Sequence, residues 1–373
     1  MLLKEGELVR DTYEVERFLG EGAFAEVYRV KHRFLGRQAM KVFKCPGSSE
    51  AEAREMLSEA VLLSSMGHPN IIRVFDAGVI PTGVGECAFF TMEYVAGGNL
   101  ETFWRSHGPR LVPVGDAVDI VRQVCRGLAL AHAEQPPIIH RDVKPQNILI
   151  GYDALGLRVR VSDFGLAKRV NPLTLIASAR GTRAFKPPEF LRNVDSCAGD
   201  VWAVGSVLYL LLTDRLPFPA AGEVQELDAS VWERPLVPAS RFNARVDPGL
   251  EAILARALAL DLGDRYPDAG KLLEDLMRWK GPEGGAAGRD FGPEGGRPAA
   301  KEHPGGSKPS AGSAPLPGKA AVEAMVRQAL EMGRDARRLT EAADLLEEAL
   351  NLQPGLRDRY EYYLRLWRRG IVS

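Results

Sequence analysis

Cysteine is scarce in this sequence: the 373 residues hold four, Cys45, Cys87, Cys125 and Cys197. They stand far apart, with no CxxC pair to chelate zinc or cycle redox equivalents, so they read as reduced thiols. Neither sign of charge is in excess. Lys and Arg number 48 against 49 Asp and Glu, and a formal net charge of −1 gives no overall attraction to nucleic acid or anionic lipid. Long apolar runs are missing too. The longest, Val201 to Thr213, holds about 13 residues, where a helix needs about 20 to cross a bilayer core, so it reads as a buried helix of a large lobe. At the start, Met1 to Asp11 mixes Lys4, Glu5, Glu7 and Arg10 into its apolar residues, unlike an export signal. His32, His68, His107, His132 and His303 show no mutual spacing that suggests a metal site. These absences lead to the expectation of a cytoplasmic protein with neither a membrane nor a nucleic-acid partner.

What is present is globular: 45% of the residues are hydrophobic and 26% charged. The length exceeds what one core sustains, so two or three structural units are expected. From Tyr13 to Val42, β-branched and aromatic residues alternate with polar ones around a glycine cluster, which predicts strand, Gly-rich turn and strand, with a third strand ending at Ala39-Met40-Lys41. Between Ser49 and Met66, the residues Met56, Leu57, Ala60, Leu63 and Met66 recur at helical spacing, and Glu50 and Glu52 fall in the first turn. Beyond Leu100 the periodicity is mostly helical, with short strand-like runs at Ile148 to Ile150 and Val159 to Val161. A small β-rich lobe followed by a larger helical one is expected, an α+β architecture. Residues 281–318 are about half Gly and Pro, a composition unable to offset chain entropy, and read as a disordered linker. Helical periodicity returns in residues 319–373. There Ala342, Leu346, Ala349 and Pro354 stand where a helix-turn-helix repeat of the tetratricopeptide type has its small, bulky, small and terminating residues, although two or three amphipathic helices without repeat identity explain them equally well.

The chemistry-bearing residues follow in order. Gly20-Glu21-Gly22-Ala23-Phe24-Ala25-Glu26-Val27 lies between strands, so its glycines can bring backbone N–H groups close to a polyphosphate. Ala25 stands where the GxGxxG pattern has its third glycine. Lys41 ends a strand downstream, and Glu55 and Glu59 lie one helical turn apart on the next element, where periodicity alone does not separate them. Then come His140-Arg141-Asp142-Val143-Lys144-Pro145-Gln146-Asn147 and Asp163-Phe164-Gly165, a base and two hard oxygen donors at fixed spacing. Gly181-Thr182 and Pro188-Glu189 follow, and then Asp200-Val201-Trp202-Ala203-Val204-Gly205 and Asp264-Arg265-Tyr266.

This series resembles the protein kinases, and in pattern the bacterial Ser/Thr kinases of eukaryotic (Hanks) type, over residues 10–280. The resemblance implies a bilobal kinase fold, ATP and Mg²⁺ as cofactors, and protein substrates, including the chain's own activation segment. By that resemblance Asp142 accepts the substrate hydroxyl proton, Lys144 offsets charge on the transferring group, and Asn147 and Asp163 hold magnesium. Lys41 steadies the phosphates and pairs with Glu59, which the spacing ahead of His68-Pro69-Asn70-Ile71 favours over Glu55. The nucleotide site takes in Leu19, Gly20, Glu21, Gly22, Ala23, Phe24, Ala25, Val27, Ala39 and Leu149. Met92 stands at its inner end, and the backbone of Glu93 and Val95 reaches adenine. Thr182 contacts Asp142 and Lys144, Asp200 braces the catalytic loop, and Arg265 pairs with Glu189. His140 is expected as a packing residue beneath that loop. Arg183, Lys186 and Pro187 depart from the Pro, Met and Ala common in the family, which alters the shape or charge preference of the peptide-docking loop. Arg141, an unpaired cation until an anion arrives, implies a switch by phosphorylation at Thr174 or, second, Ser178. The C-terminal helices are expected to dock a protein partner or the kinase lobe rather than to support the catalytic fold. A pseudokinase scaffold and a small-molecule kinase are the rival readings; intact Lys41, Asp142, Asn147 and Asp163 argue against the first and the GT…PE segment against the second.

Overall fold

Alternating residues between Leu8 and Glu93 pair into one antiparallel sheet in the computed structural model. It describes residues 1–22, 24–44, 54, 56–108, 111–153, 156–164, 183–218, 232, 234–281, 319–333, 338–352, 360, 363, 364 and 367. The strands are β1 (Leu8–Val9), β2 (Tyr13–Glu21), β3 (Ala25–His32), β4 (Gly36–Phe43), β5 (Val74–Thr82) and β6 (Gly85–Glu93), in the order β1-β2-β3-β4-β6-β5. Lys41 therefore lies on the fourth strand, not the third. The added strand pairs Leu8 with Glu14, and the buried Leu3 and Val9 join the core on its side of the sheet, so the fold starts ahead of residue 10. Leu2 N–H donates to Glu26 Oε2 at 2.7 Å and Leu3 N–H to the Tyr28 hydroxyl at 3.1 Å, which ties the segment down.

The two-residue period of a strand sorts β4 by face. Met40 and Val42 pack with Val30 and Phe89 on one side, whereas Ala39 and Phe43 join Ala60, Leu63 and Phe90 on the other. Lys41 shares the second face, toward helix α1 (Ser58–Ser65), whose Ala60 and Leu63 are buried. Glu59 belongs to this helix. Its side chain, Glu55 and residues 45–53 lie outside the described residues.

The larger lobe is helical: α2 (Leu100–Ser106), α3 (Val114–His132), α4 (Cys197–Thr213), α5 (Pro248–Ala257) and α6 (Ala269–Arg278), with the hairpin β7 (Ile148–Asp153) and β8 (Gly156–Val161). Side-chain caps start four of these helices: Asn99, Ser196, Asp247 and Asp268 accept from Thr102, Gly199, Leu250 and Lys271 N–H respectively. Helix α4 is apolar nearly all round because it is buried all round, from Asp200 to Thr213. Gly127 of α3 lets the helix approach the backbone at Asn70, where an added Cβ would come within 2.9 Å of the Asn70 carbonyl oxygen. Gln123 of α3 completes that joint, accepting from Asn70 Nδ2 at 3.2 Å and from Val159 N–H at 3.0 Å.

Met1–Gly284 form one compact unit and Gly285–Ser373 a second. In the second, α7 (Lys319–Met332) and α8 (Leu339–Leu352) bury Val326, Ala329, Leu346 and Leu350, and Ala342 and Ala349 are buried with them. Trp367 closes over Gly333, where any Cβ would collide with the indole. Pro354 and residues 282–318 lie outside the described residues. Among the described residues no helix is long and apolar enough to cross a membrane.

Candidate active site

The β7–β8 hairpin accounts for the spacing of two of the predicted residues. Its register pairs Ile148 with Val161, so Asn147, just ahead of β7, stands opposite Ser162, just past β8. Ser162 N–H and Oγ both donate to the Asn147 carbonyl, at 2.9 and 3.1 Å. Asp163 is thereby held beside Asn147. Its φ of 63° and the 67° of Arg141 lie in the left-handed region that non-glycine residues seldom enter, and both are at the candidate site.

Three side chains bond the Asp142 carboxylate. Asp142 Oδ2 is 2.7 Å from Lys144 Nζ and accepts from Asn147 Nδ2 at 3.1 Å. Oδ1 faces Lys186 Nζ at 3.4 Å, and Lys186 also donates to the Arg141 carbonyl at 2.5 Å. Burial alone would push the Asp142 carboxyl up, but Lys144 and Lys186 outweigh it and hold the group below the usual carboxylate range. Asp200 braces the loop from below: Oδ2 accepts from His140 N–H at 2.7 Å and Oδ1 from Arg141 N–H at 2.8 Å. His132 completes that brace. Its Nδ1 accepts from Ala269 N–H at 3.2 Å, so its Nε2 carries the proton and donates to Asp200 Oδ2 at 3.0 Å. His140 follows the same logic, with Nδ1 accepting from Asp142 N–H and Nε2 donating to the Ser162 carbonyl. Burial lowers its pKa, which keeps the ring neutral, and Phe164 packs on it at 4.5 Å between ring centres.

On the sheet side, Lys41 Nζ lies 2.7 Å from Asp163 Oδ1, and its ammonium sits over the Phe43 and Phe90 rings. Gly20 and Glu21 close β2, and Gly22 N–H donates to the Ala25 carbonyl at 2.8 Å. Lys44 pins this turn, bonding the Glu21 carboxylate and, at 2.9 Å, the Gly22 carbonyl, while its own N–H donates to the Phe24 carbonyl. Nothing within 4 Å would meet a Cβ on Gly20, so its backbone faces open space. Ala25 carries its methyl into the buried core. Ala39 and Met92 are buried in the same cluster, with Val27, Val95 and Leu149 packed at its edge; Leu19 is more exposed. Glu93 N–H donates to the Arg73 carbonyl at 2.8 Å, and its carboxylate pairs with Arg160 at 3.0 Å.

A sheet lysine, a loop carboxylate and an amide–carboxylate pair thus converge as phosphoryl transfer requires. The protein kinase domain model matches residues 13–275. The chain belongs to the protein kinase family. Ser/Thr-protein kinase PknB of Mycolicibacterium smegmatis is 35% identical over 276 residues, covering 72% of this chain and 43% of that protein. Ser/Thr-protein kinase PrkC of Bacillus subtilis is 34% identical, covering 73% of this chain and 41% of that protein. The chain thus spans less than half the length of these relatives. In shape, the crystal structure of the Mycobacterium tuberculosis PknI kinase domain matches with a TM-score of 0.54 at 26% identity, over 74% of this chain and 99% of that one.

In this kinase domain Arg265 and Glu189 meet as expected, in a bidentate pair of 2.7 and 3.2 Å, fully buried on the arginine side. Arg141 requires a correction: it is not an unpaired cation, because its Nε donates to Asp195 Oδ2 at 2.8 Å. Asp195 immediately precedes the cap of α4, and Asp200 five residues on already fixes the Arg141 backbone, so the anion is supplied locally. Ala23, Gly165, Thr174, Ser178, Gly181 and Thr182 lie outside the described residues. His132, Lys44, Asp195 and the contact of Lys186 with Asp142 went unread in the sequence, since none carries a local pattern. Asn147 commits its amide nitrogen to Asp142, which leaves its amide oxygen as a hard neutral donor, and the hairpin register brings Asp163 to the same end of the β7–β8 pair. Two oxygen donors of this kind fit a magnesium ion that draws its remaining ligands from phosphate and water. Among the described residues no cluster of three or more His, Cys, Asp and Glu suggests another metal.

Proposed function

We propose that this chain transfers the γ-phosphate of ATP to Ser and Thr hydroxyls of proteins. The observation that carries the reading is Asp142 Oδ2 held by both Lys144 and Asn147, with Oδ1 turned to the side where Lys186 lies. Oδ2 is fixed by two donors, and Oδ1, whose contact with Lys186 is longer at 3.4 Å, would take the substrate hydroxyl, which Asp142 would orient and deprotonate as the phosphoryl group moves. Lys144 offsets charge on that group. Lys41 binds the α- and β-phosphates, and its pairing with Glu59 belongs to this proposal. Asn147 and Asp163 would hold the metal, which would supply neutralising charge to the phosphates of the nucleotide. Backbone of Gly20 to Ala25 covers the phosphates, with Leu19, Val27, Ala39, Met92, Val95 and Leu149 around the base. A contact of Thr182 with Asp142 belongs to the same proposal. The Ser/Thr kinase names of PknB and PrkC support the acceptor class. A scaffold without turnover has no observation in its favour. Incubation with γ-labelled ATP, Mg²⁺ and a generic basic protein is expected to give acid-stable label on serine and threonine of that protein. Label on sugars or aminoglycosides instead, with none on protein, would overturn the reading.

Phosphorylation of Thr174, with Ser178 second, is proposed to modulate activity. Because Arg141 already has Asp195, a phosphate would compete for it with about −1.5 to −2 charge against −1. Thr174→Ala is therefore expected to lower activity by no more than several-fold. Mass spectrometry should find phosphate on Thr174 in active protein and not in Asp142→Asn. Full activity with no phosphate in residues 166–182 would remove the switch. The helices of residues 319–373, with buried Ala342, Leu346 and Ala349, support a proposed docking role for a protein partner in the tetratricopeptide manner.

A further inference from the structure

We propose that Lys186 makes this kinase select acceptors that carry a carboxylate side chain within two residues of the phosphorylated hydroxyl. The inference rests on the protein kinase reading and deepens it. Lys186 is nearly buried, with its ammonium 2.5 Å from the Arg141 carbonyl and 3.4 Å from Asp142 Oδ1, over the Phe190 ring at 5.3 Å. It stands on a stiff segment. Pro187 and Pro188 follow it, and Glu189 is fixed by the buried Arg265 pair. The cation cannot drift far from the reacting oxygen. With an acceptor hydroxyl about 2.8 Å from Asp142 Oδ1, the ammonium lies within about 6 Å of that hydroxyl, the reach of a side chain one or two residues away.

The surroundings decide the sign of the preference. Lys186, Arg141, Asp142, Phe190, Val194 and Asp195 line a pocket against this loop. Asp195 is committed to Arg141 and Asp142 Oδ2 to Lys144 and Asn147; among the described residues the Lys186 ammonium bonds Asp142 Oδ1 and the Arg141 carbonyl. A substrate carboxylate pairing with Lys186 would add a charge-assisted bond and draw the ammonium off Oδ1, which frees that oxygen for the hydroxyl. A basic neighbour would meet two cations, Lys186 and Lys144. Specificity thus comes from attraction and repulsion at one position.

The test uses the full chain and peptides with one serine, placing Glu or the isosteric Gln at each of the two positions on either side. Wild type is expected to favour the Glu peptide at one of these positions by about tenfold in kcat/KM, the size of one charge-assisted hydrogen bond. Lys186→Met should bring the ratio near one, and Lys186→Arg should keep it. If Lys186→Met turns over too slowly, the same ratio is read from peptide Kd values. Wild type that phosphorylates a basic protein yet shows no Glu preference anywhere, or Lys186→Met that keeps it, would overturn the proposal and leave the kinase reading intact. Transfer to no acceptor at all would overturn both.

Discussion

Asp142→Asn is expected to lower kcat by about 10²- to 10⁴-fold while nucleotide affinity stays within about threefold of wild type, the range attached to a positioned general base. The variant is isosteric, so the loop has no steric reason to move. Its amide must present an NH₂ either to Lys144 and Asn147 or to Lys186, and all three are donors. The wild-type carboxylate suffers no such conflict, because the two lysines hold it ionised below the usual carboxylate range despite its burial. Lys41 and the Gly20–Gly22 turn are on the sheet, out of reach of the change, so binding survives. Single-turnover kinetics with a parallel nucleotide titration separates the two quantities. An undiminished chemical step would remove Asp142 from the reaction.

Glu189→Ala is expected to cost about 3–5 kcal/mol of stability in the first unit, the penalty of leaving a buried cation uncompensated. Arg265 has no exposed side-chain surface, and the guanidinium is held by Glu189, by the Ala198 and Ala259 carbonyls and over the Trp202 ring at 4.9 Å. The carbonyls satisfy N–H groups but carry no neutralising charge. Replacing both partners, as Glu189→Leu with Arg265→Met, should cost clearly less than Glu189→Ala, since the uncompensated charge goes with the arginine. Chemical denaturation of the full chain, followed by the buried Trp202, reads the difference. A Glu189→Ala loss below about 1 kcal/mol would show the pair to be replaceable by water.

Much of this site is written in short stretches. Asp142 and Asn147 share one loop, and Asn147 reaches Asp163 through a single hairpin whose register fixes their separation. Strand alternation likewise puts Lys41 on the face of Ala39 and Phe43. Helix α4 is legible in its unbroken apolar run. What stayed hidden joins distant segments of the chain. Asp195 meets Arg141 across 54 residues and Asp200 meets His132 across 68, with no periodic pattern to signal either contact. The two-residue strand β1 is too short for its alternation to be seen, and its place depends on Leu3 finding the core. Lys186 was visible as a departure from its family, but its proximity to Asp142 depends on the tertiary anchor at Glu189.

The central claim, that this chain phosphorylates Ser and Thr hydroxyls through Asp142, is tested most directly by the intact mass and phosphosite map of purified protein before and after incubation with ATP and Mg²⁺. Wild type is expected to gain phosphate on serine and threonine residues, and Asp142→Asn treated in the same way is expected to gain none. Equal gain in both proteins, or no gain in wild type together with no transfer to an added protein, would contradict the account.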